Sequence, residues 1–263
     1  MEESFDLHKQ RFLLCGIRVD ALRRHDLLHI VRNSIEQRQK CLVLSHNLHS
    51  LYIYETLPDF KSFYQRADCV YIDGMPVVWM GKAAGLPFKS EHRITLLDSM
   101  EAVMSEAAAN GWSVFYLGGT EEILRAGLEK LTTQFPDLQI TGRNGYFDIE
   151  RDSAAVVDQI NILQPDMLFV GLGMPLQERW LATYYAQLQV PAVLTCGATL
   201  SYITEHSYRP PPWASKLGLY GLMRLLHEPK RLWRRYLMEP LYLLRRLGGG
   251  IVKQRLRGSG AAD

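Results

Sequence analysis

The sequence predicts an α/β protein in which a mostly parallel sheet carries helices on both faces, Rossmann-like, followed by a basic helical C-terminal segment. Three observations predict it. Short apolar runs alternate with longer amphipathic stretches between residues 10 and 200, and glycine-containing turns follow several of those runs. A chain of 263 residues with 47% hydrophobic and 22% charged side chains can bury a sizeable core, which excludes disorder and fibrous architectures.

Strands are expected at residues 11–19, 41–45, 69–72, 113–117, 139–143, 167–171 and 192–196, where β-branched, aliphatic and aromatic residues cluster. Helical periodicity falls between them, at about 22–38, 48–66, 76–85, 95–109, 120–134, 152–163, 176–187 and 199–205. Sheets of this kind bind ligands beyond the carboxyl ends of their strands. The rule singles out Ser45, His46 and Asn47, then Asp73 and Gly74, then Gly118 and Gly119, then residues 171–178, then Gly197.

Near Arg209 the run Arg-Pro-Pro-Pro-Trp ends the alternation and a Leu/Arg-rich region begins. This divides the chain into an α/β body (1–208), a basic amphipathic helical segment (209–257) and a Gly/Ser-rich tail (258–263) expected to be disordered. Pro229 and Pro240 are expected to split the segment into about three short helices, since proline suits only a helix's first turn. In the middle piece Leu232, Trp233, Tyr236 and Leu237 share one helical face, while Arg231, Arg234 and Arg235 share another.

The net charge of +2 hides a division. Residues 1–208 hold 18 basic and 25 acidic side chains, a balance of −7, whereas residues 209–257 hold 12 basic against Glu228 and Glu239, a balance of +10. A surface that meets lipid or phosphate fits this segment; a solvated cover over the core is the blander alternative. Cys15, Cys41, Cys69 and Cys196 are widely spaced, without a CxxC pair, and read as buried thiols in a reducing cytoplasm. The Met-Glu-Glu start and the short apolar run at 12–17 do not look like a secretory leader, and no run of about 18 apolar residues suggests a membrane span.

Among candidate chemical groups, Asp73 follows a hydrophobic strand and precedes a glycine. It could act as a general base or simply cap the next helix. Gly118 and Gly119 open a strand-to-helix turn of the type that receives phosphate on free backbone N–H groups. Gly171 and Gly173 open a second such turn, with Gln177 and Glu178 in the following helix. A dinucleotide fingerprint would need a third glycine near position 176, where Leu stands, which disfavours a nucleotide-cofactor oxidoreductase. His46 and His92 lack paired ligand spacing and are assigned no chemistry. There is no Asp-x-Asp to hold a divalent metal on a nucleotide diphosphate, so arginines would have to neutralise such a group, with Arg93, Arg224, Arg231 and Arg234 available.

Seven ordered motifs, Ser45-His-Asn, Asp73-Gly-Met-Pro, His92-Arg-Ile-Thr, Phe115-Tyr-Leu-Gly-Gly, Gly142-Arg-Asn-Gly-Tyr-Phe, Val170-Gly-Leu-Gly-Met-Pro-Leu-Gln-Glu-Arg-Trp and Arg224-Leu-Leu-His-Glu-Pro-Lys-Arg-Leu-Trp-Arg-Arg-Tyr, carry a resemblance. Over residues 12–238 the chain resembles the TagA/WecG/CpsF family of bacterial glycosyltransferases. The resemblance implies an inverting enzyme without a metal cofactor, moving a sugar from a UDP-sugar to a polyprenyl-diphosphate-linked saccharide. It implies a peripheral place on the inner face of the cytoplasmic membrane and a homo-oligomer, while the Leu/Trp/Tyr content of the basic segment favours an anionic membrane surface over nucleic acid as partner. Asp73 matches the proposed base. Ser45 and Asn47 match donor-binding positions, joined by Gly118, Gly119, Gly171, Gly173 and Glu178, while Arg93 and Gln177 match polar residues of the same pocket. Arg224, Arg231 and Arg234 match arginines that a closing C-terminal segment brings to the diphosphate.

Three departures stand against the pattern. Leu200-Ser201 replaces a frequent acidic residue, Gly218-Leu-Tyr-Gly replaces Gly-Leu-Glu-Trp, and Arg209-Pro-Pro replaces Arg-Ala-Pro. They suggest a subgroup with another donor, such as the enzymes that add glucose in xanthan-like exopolysaccharides, rather than those that use N-acetylmannosamine or its uronic acid. They also leave open a non-catalytic membrane scaffold of the same fold.

Overall fold

The computed structural model describes residues 6–211, 214 and 218–257, so the expected disordered tail lies outside the described residues. Among these residues one eight-stranded sheet runs in the order β1-β2-β4-β3-β8-β7-β5-β6. The strands are β1 (Arg11–Leu14), β2 (Ile17–Asp20), β3 (Cys41–His46), β4 (Cys69–Ile72), β5 (Ser113–Gly118), β6 (Gln139–Arg143), β7 (Met167–Gly171) and β8 (Ala192–Thr195). All pairings are parallel except β1 with β2. The fold is therefore the predicted α/β class.

Helices α1 (Arg24–Glu36), α2 (Leu48–Thr56), α3 (Pro58–Gln65), α4 (Met75–Ala83), α5 (Leu96–Asn110), α6 (Glu121–Gln134), α7 (Ile149–Leu163), α8 (Leu176–Tyr184) and α9 (Thr199–Ile203) cover both faces. Central strands are buried on both sides, which is why they read as unbroken apolar runs. Successive residues then serve different cores. Leu42, Leu44, Val70, Ile72, Leu168 and Val170 pack with Val156 and Ile160 of α7 and Trp180 of α8. Val43, Cys69, Tyr71, Met167 and Phe169 pack instead with Leu27 of α1, Met100 of α5 and Leu124 of α6.

The structure corrects the expectation in three places. The single strand expected at 11–19 is a hairpin, because Cys15 and Gly16 take positive φ values of 52° and 83° and reverse the chain. The helix expected at 48–66 is two helices, with Pro58 starting the second, where its missing N–H costs nothing. In the C-terminal segment α10 (Tyr220–His227) and α11 (Pro229–Trp233) are followed by a π turn (Arg234–Met238) that leads directly into α12 (Glu239–Arg257). Pro229 does begin a helix, but Pro240 breaks nothing. It sits in the first turn of α12, and the π turn, in which Glu239 N–H donates to Arg234 O, carries the chain past it.

Asp20 is a fully buried carboxylate, satisfied by Arg11 Nε at 2.9 Å and by the Val70 N–H at 2.7 Å. It locks β2 to β4. The four thiols are unpaired; Cys41 and Cys69 are buried as expected, whereas Cys15 and Cys196 are half-buried. The C-terminal helix α12 lies on the body, burying Leu243 and Leu247 in the core that contains β4. Along its length His49 Nδ1 sits 2.8 Å from Glu239 Oε2, and Arg246 Nε donates to Glu55 Oε2 at 3.1 Å. At its far end Gln254 accepts from the Cys15 N–H at 2.8 Å and donates to Leu13 O at 2.6 Å. No helix among the described residues is long and apolar enough to cross a membrane.

Candidate active site

Parallel pairing of β3 with β4 brings the residues that follow both strands side by side. Asn47 caps α2: its Oδ1 accepts from the Ser50 N–H at 3.0 Å, which turns its amide nitrogen toward Asp73 Oδ2, 3.3 Å away. Asp73 itself caps no helix, since Gly74 occupies the N-cap of α4 without a side-chain bond. Of the two readings of Asp73, the capping one is excluded. Burial pushes its carboxyl above the usual range, against the Asn47 hydrogen bond and the positive charges of Arg93 and Arg235; Asp98 adds to the rise. Ser45 is buried within β3, with its hydroxyl bonded to Tyr71 and its carbonyl accepting from Tyr64 Oη at 2.9 Å. His46 is enclosed by Tyr54 and Tyr64 and is held neutral, its pKa lowered by burial to about 3.

Arg93 reaches Asp73 by backbone geometry. It bridges Ile72 in parallel, and the Ile94 N–H donates to Ile72 O at 2.8 Å, so the segment lies along the end of β4. Arg93 also lines a cavity of about 140 Å³ with Arg24, Thr95 and Asp98. A larger cavity of about 630 Å³ opens beyond β6, lined by Arg143, Asn144, Tyr146 and Phe147 from the Gly142-Arg-Asn-Gly-Tyr-Phe motif.

The glycines and the α8 residues have clear structural duties. Gly118 and Gly171 are partners across β5 and β7, and a Cβ on Gly118 would stand 2.4 Å from Gly171 O. Only glycine permits that approach. Gly119 and Gly173 take left-handed backbone in the two turns. Gln177 is buried, and its amide joins the Gly197 N–H (3.1 Å) to Glu178 Oε1 (2.8 Å), fastening α8 to the turn after β8. Burial pushes the Glu178 carboxyl up to about 7, and its Oε2 has no hydrogen-bond partner among the described residues.

The C-terminal arginines divide. Arg224 is mostly buried, its guanidinium 5.4 Å from the Tyr202 ring, and its Nε has no hydrogen-bond partner among the described residues. Arg231 pairs with Glu228 and Arg234 lies over Trp233, both largely in solvent. The arginine whose charge is felt by Asp73 is Arg235. Tyr220, one of the three departures, is coupled electrostatically to Tyr202, Arg224 and Asp73, and so belongs to the same cluster. Leu200 is buried against Gly127, where a Cβ would collide with it, so this departure serves packing. Sequence reasoning did not find Arg235, Asp98 or Tyr202. Only the charge density of the 231–235 run hinted at the first. Among the described residues no group of three or more His, Cys, Asp or Glu side chains is arranged to hold a metal ion.

The model of the Glycosyl transferase WecG/TagA/CpsF family matches residues 12–260. The chain belongs to that family. A stretch of 169 residues is 30% identical to the N-acetylglucosaminyldiphosphoundecaprenol N-acetyl-beta-D-mannosaminyltransferase of Staphylococcus aureus strain MW2, covering 64% of this chain and 65% of the relative. The proteins of the same name from strains NCTC 8325 and N315 match with the same identity and coverage. The matched stretch thus spans just under two thirds of the length of these relatives. The WecG/TagA/CpsF match runs from β1 to beyond α12, so it takes in both the α/β body and the basic segment.

Proposed function

We propose that the chain is an inverting, metal-independent glycosyltransferase that moves a sugar from a UDP-sugar to a polyprenyl-diphosphate-linked saccharide, with Asp73 as general base. The observation that carries the reading is the state of Asp73. Its carboxylate is oriented by Asn47, made more basic by burial and flanked by Arg93 and Arg235 at the carboxyl end of the sheet. In the proposed step the acceptor hydroxyl oxygen bonds to the anomeric carbon while Asp73 takes its proton, and the bond to the diphosphate breaks with inversion. Negative charge then collects on the departing UDP. Arg224, whose Nε is buried without a partner among the described residues, and Arg235 are suited to meet it.

The names of the relatives favour an N-acetylmannosamine donor and an N-acetylglucosaminyl diphosphoundecaprenol acceptor. The acceptor's lipid puts the reaction at a membrane, on the inner face of the cytoplasmic membrane in this reading. Leu222, Leu226, Leu237, Met238, Leu241 and Leu244 are each more than half exposed on the basic segment, as a surface resting on anionic lipid requires.

The test is UDP release from UDP-N-acetylmannosamine and UDP-glucose with a short-chain lipid diphosphate acceptor, in EDTA. Turnover by the native chain and none by Asp73→Asn is expected. Retained turnover in the variant removes Asp73 as the base, and abolition of native turnover by EDTA rejects the metal-independent step.

A further inference from the structure

We propose that Asp98 is a positioning residue that ties the C-terminal segment to the active site, holding Arg93 with one carboxylate oxygen and Arg209 with the other. The inference rests on the transfer reaction proposed above. Asp98 Oδ1 accepts from Arg209 Nη2 at 2.9 Å, and Asp98 Oδ2 lies 3.5 Å from Arg93 Nη2. The backbone that carries the carboxylate is fixed, because Asp98 sits in the first turn of α5, where its N–H donates to the capping Thr95 Oγ1 at 3.2 Å. Its two guanidinium partners come from different parts of the molecule. Arg93 is anchored to the end of β4 through the bridge to Ile72, one residue before Asp73. Arg209 is the first residue of the basic segment and follows directly on the region that carries Tyr202.

A carboxylate presents two oxygens in one plane, so one side chain can serve two guanidiniums. Arg209 makes the shorter contact. When the segment is docked, Asp98 is engaged by Arg209 and holds Arg93 more loosely beside Asp73. The link therefore couples the Arg93 guanidinium to the segment that carries Arg224 and Arg235, while the bridge to Ile72 fixes the Arg93 backbone. The titratable groups that interact with Asp73 by charge are Arg93, Arg235 and Asp98, together with Tyr64, Tyr71 and Tyr220. Across the cavity Asp98 also faces Arg24 and Glu91.

The test uses the full chain with Asp98→Asn, Arg209→Gln and the double variant. Each single change is expected to lower kcat roughly tenfold, with no further loss in the double variant, because both cut one link. The KM for the donor should stay within about twofold. Arg93 lowers the Asp73 pKa more than Asp98 raises it, so release of Arg93 in Asp98→Asn should move the acid limb of the kcat/KM profile to higher pH. A variant that left Arg93 in place would move the limb to lower pH instead, because only the Asp98 charge would be lost. Hydrogen exchange of residues 220–227, measured without substrate, should quicken in both single variants. Additive losses in the double variant, an acid limb that stays or moves to lower pH in Asp98→Asn, or native protection of 220–227 in both variants would overturn the proposal. If Asp98→Asn does not fold, the exposed Arg209→Gln still decides by turnover and exchange. If the native chain turns over no sugar nucleotide, the transfer reading falls, and the exchange measurement alone decides the link.

Discussion

The α/β body and the basic segment solve opposite problems. In the body the polar groups that matter are inside: Asp20, Gln177 and Glu178 are each no more than 1% exposed. In the segment it is the apolar groups that stand outside, with Leu226 73% and Leu244 67% exposed. The body buries a few polar groups to fix strands and turns, whereas the segment displays both charge and hydrocarbon and, among its described large apolar side chains, buries Leu232, Leu243 and Leu247. Geometry is set in the first region, and the proposed contact with a membrane falls to the second.

The largest effect that could break this division belongs to Asp73. Asp73→Asn should lower kcat by about 10² to 10⁴, the range of general-base catalysis, with liposome association unchanged. An equal loss of liposome association would mean that the two regions are not separable. The rise in the Asp73 pKa adds a sign: a base must be deprotonated, so activity should fall as pH drops through a pKa above the ordinary carboxylate range.

Next comes the core of the body. Trp180 is 1% exposed and donates to Ser153 Oγ at 3.0 Å, so Trp180→Ala should cost about 3 to 5 kcal/mol, read by denaturant unfolding. A smaller pH effect tests the buried polar logic. Glu178 has its folded pKa raised to about 7, so between its unfolded value and that point the folded state binds more protons than the unfolded one. Stability should therefore fall as pH rises through this window, by at most about 3 kcal/mol, and Glu178→Gln should flatten the slope. The smallest expected change in stability is on the segment. Leu226→Glu should shift unfolding by no more than about 0.5 kcal/mol while weakening binding to anionic liposomes. A large loss of stability there would assign Leu226 to the core and blur the comparison.

Much of the body was legible in the sequence because burial on both faces writes long apolar runs, and because ligand groups gather after parallel strands. Asn47 and Asp73 are found by that rule. The hairpin was not, since Cys15 is itself apolar and conceals the turn inside the run from Phe12 to Ile17. The segment was legible in charge but not in direction. Assigning faces there assumed 3.6 residues per turn, and the π turn at Arg234–Met238 spends more, which rotates the following side chains. Within that turn Arg235 acts on Asp73 by its charge while Arg234 rests on Trp233, and Leu237, expected on the apolar face with Leu232, stands outside; Trp233, which precedes the turn, is also exposed. Asp98 was unreadable for another reason: Arg93 and Arg209 were both marked, but they lie 5 and 111 residues from Asp98, and only the fold brings all three together.

The amide of Gln254 has a consequence for how the protein behaves in bulk. β1 is the rim of the sheet, and an uncovered rim offers its backbone donors and acceptors to any strand that diffuses past. Gln254 occupies the Leu13 carbonyl and the Cys15 N–H at that rim. Versions of the chain shortened ahead of Gln254 would uncover those two groups and invite edge-to-edge association between molecules. The last turns of α12 thus act as a guard against clumping.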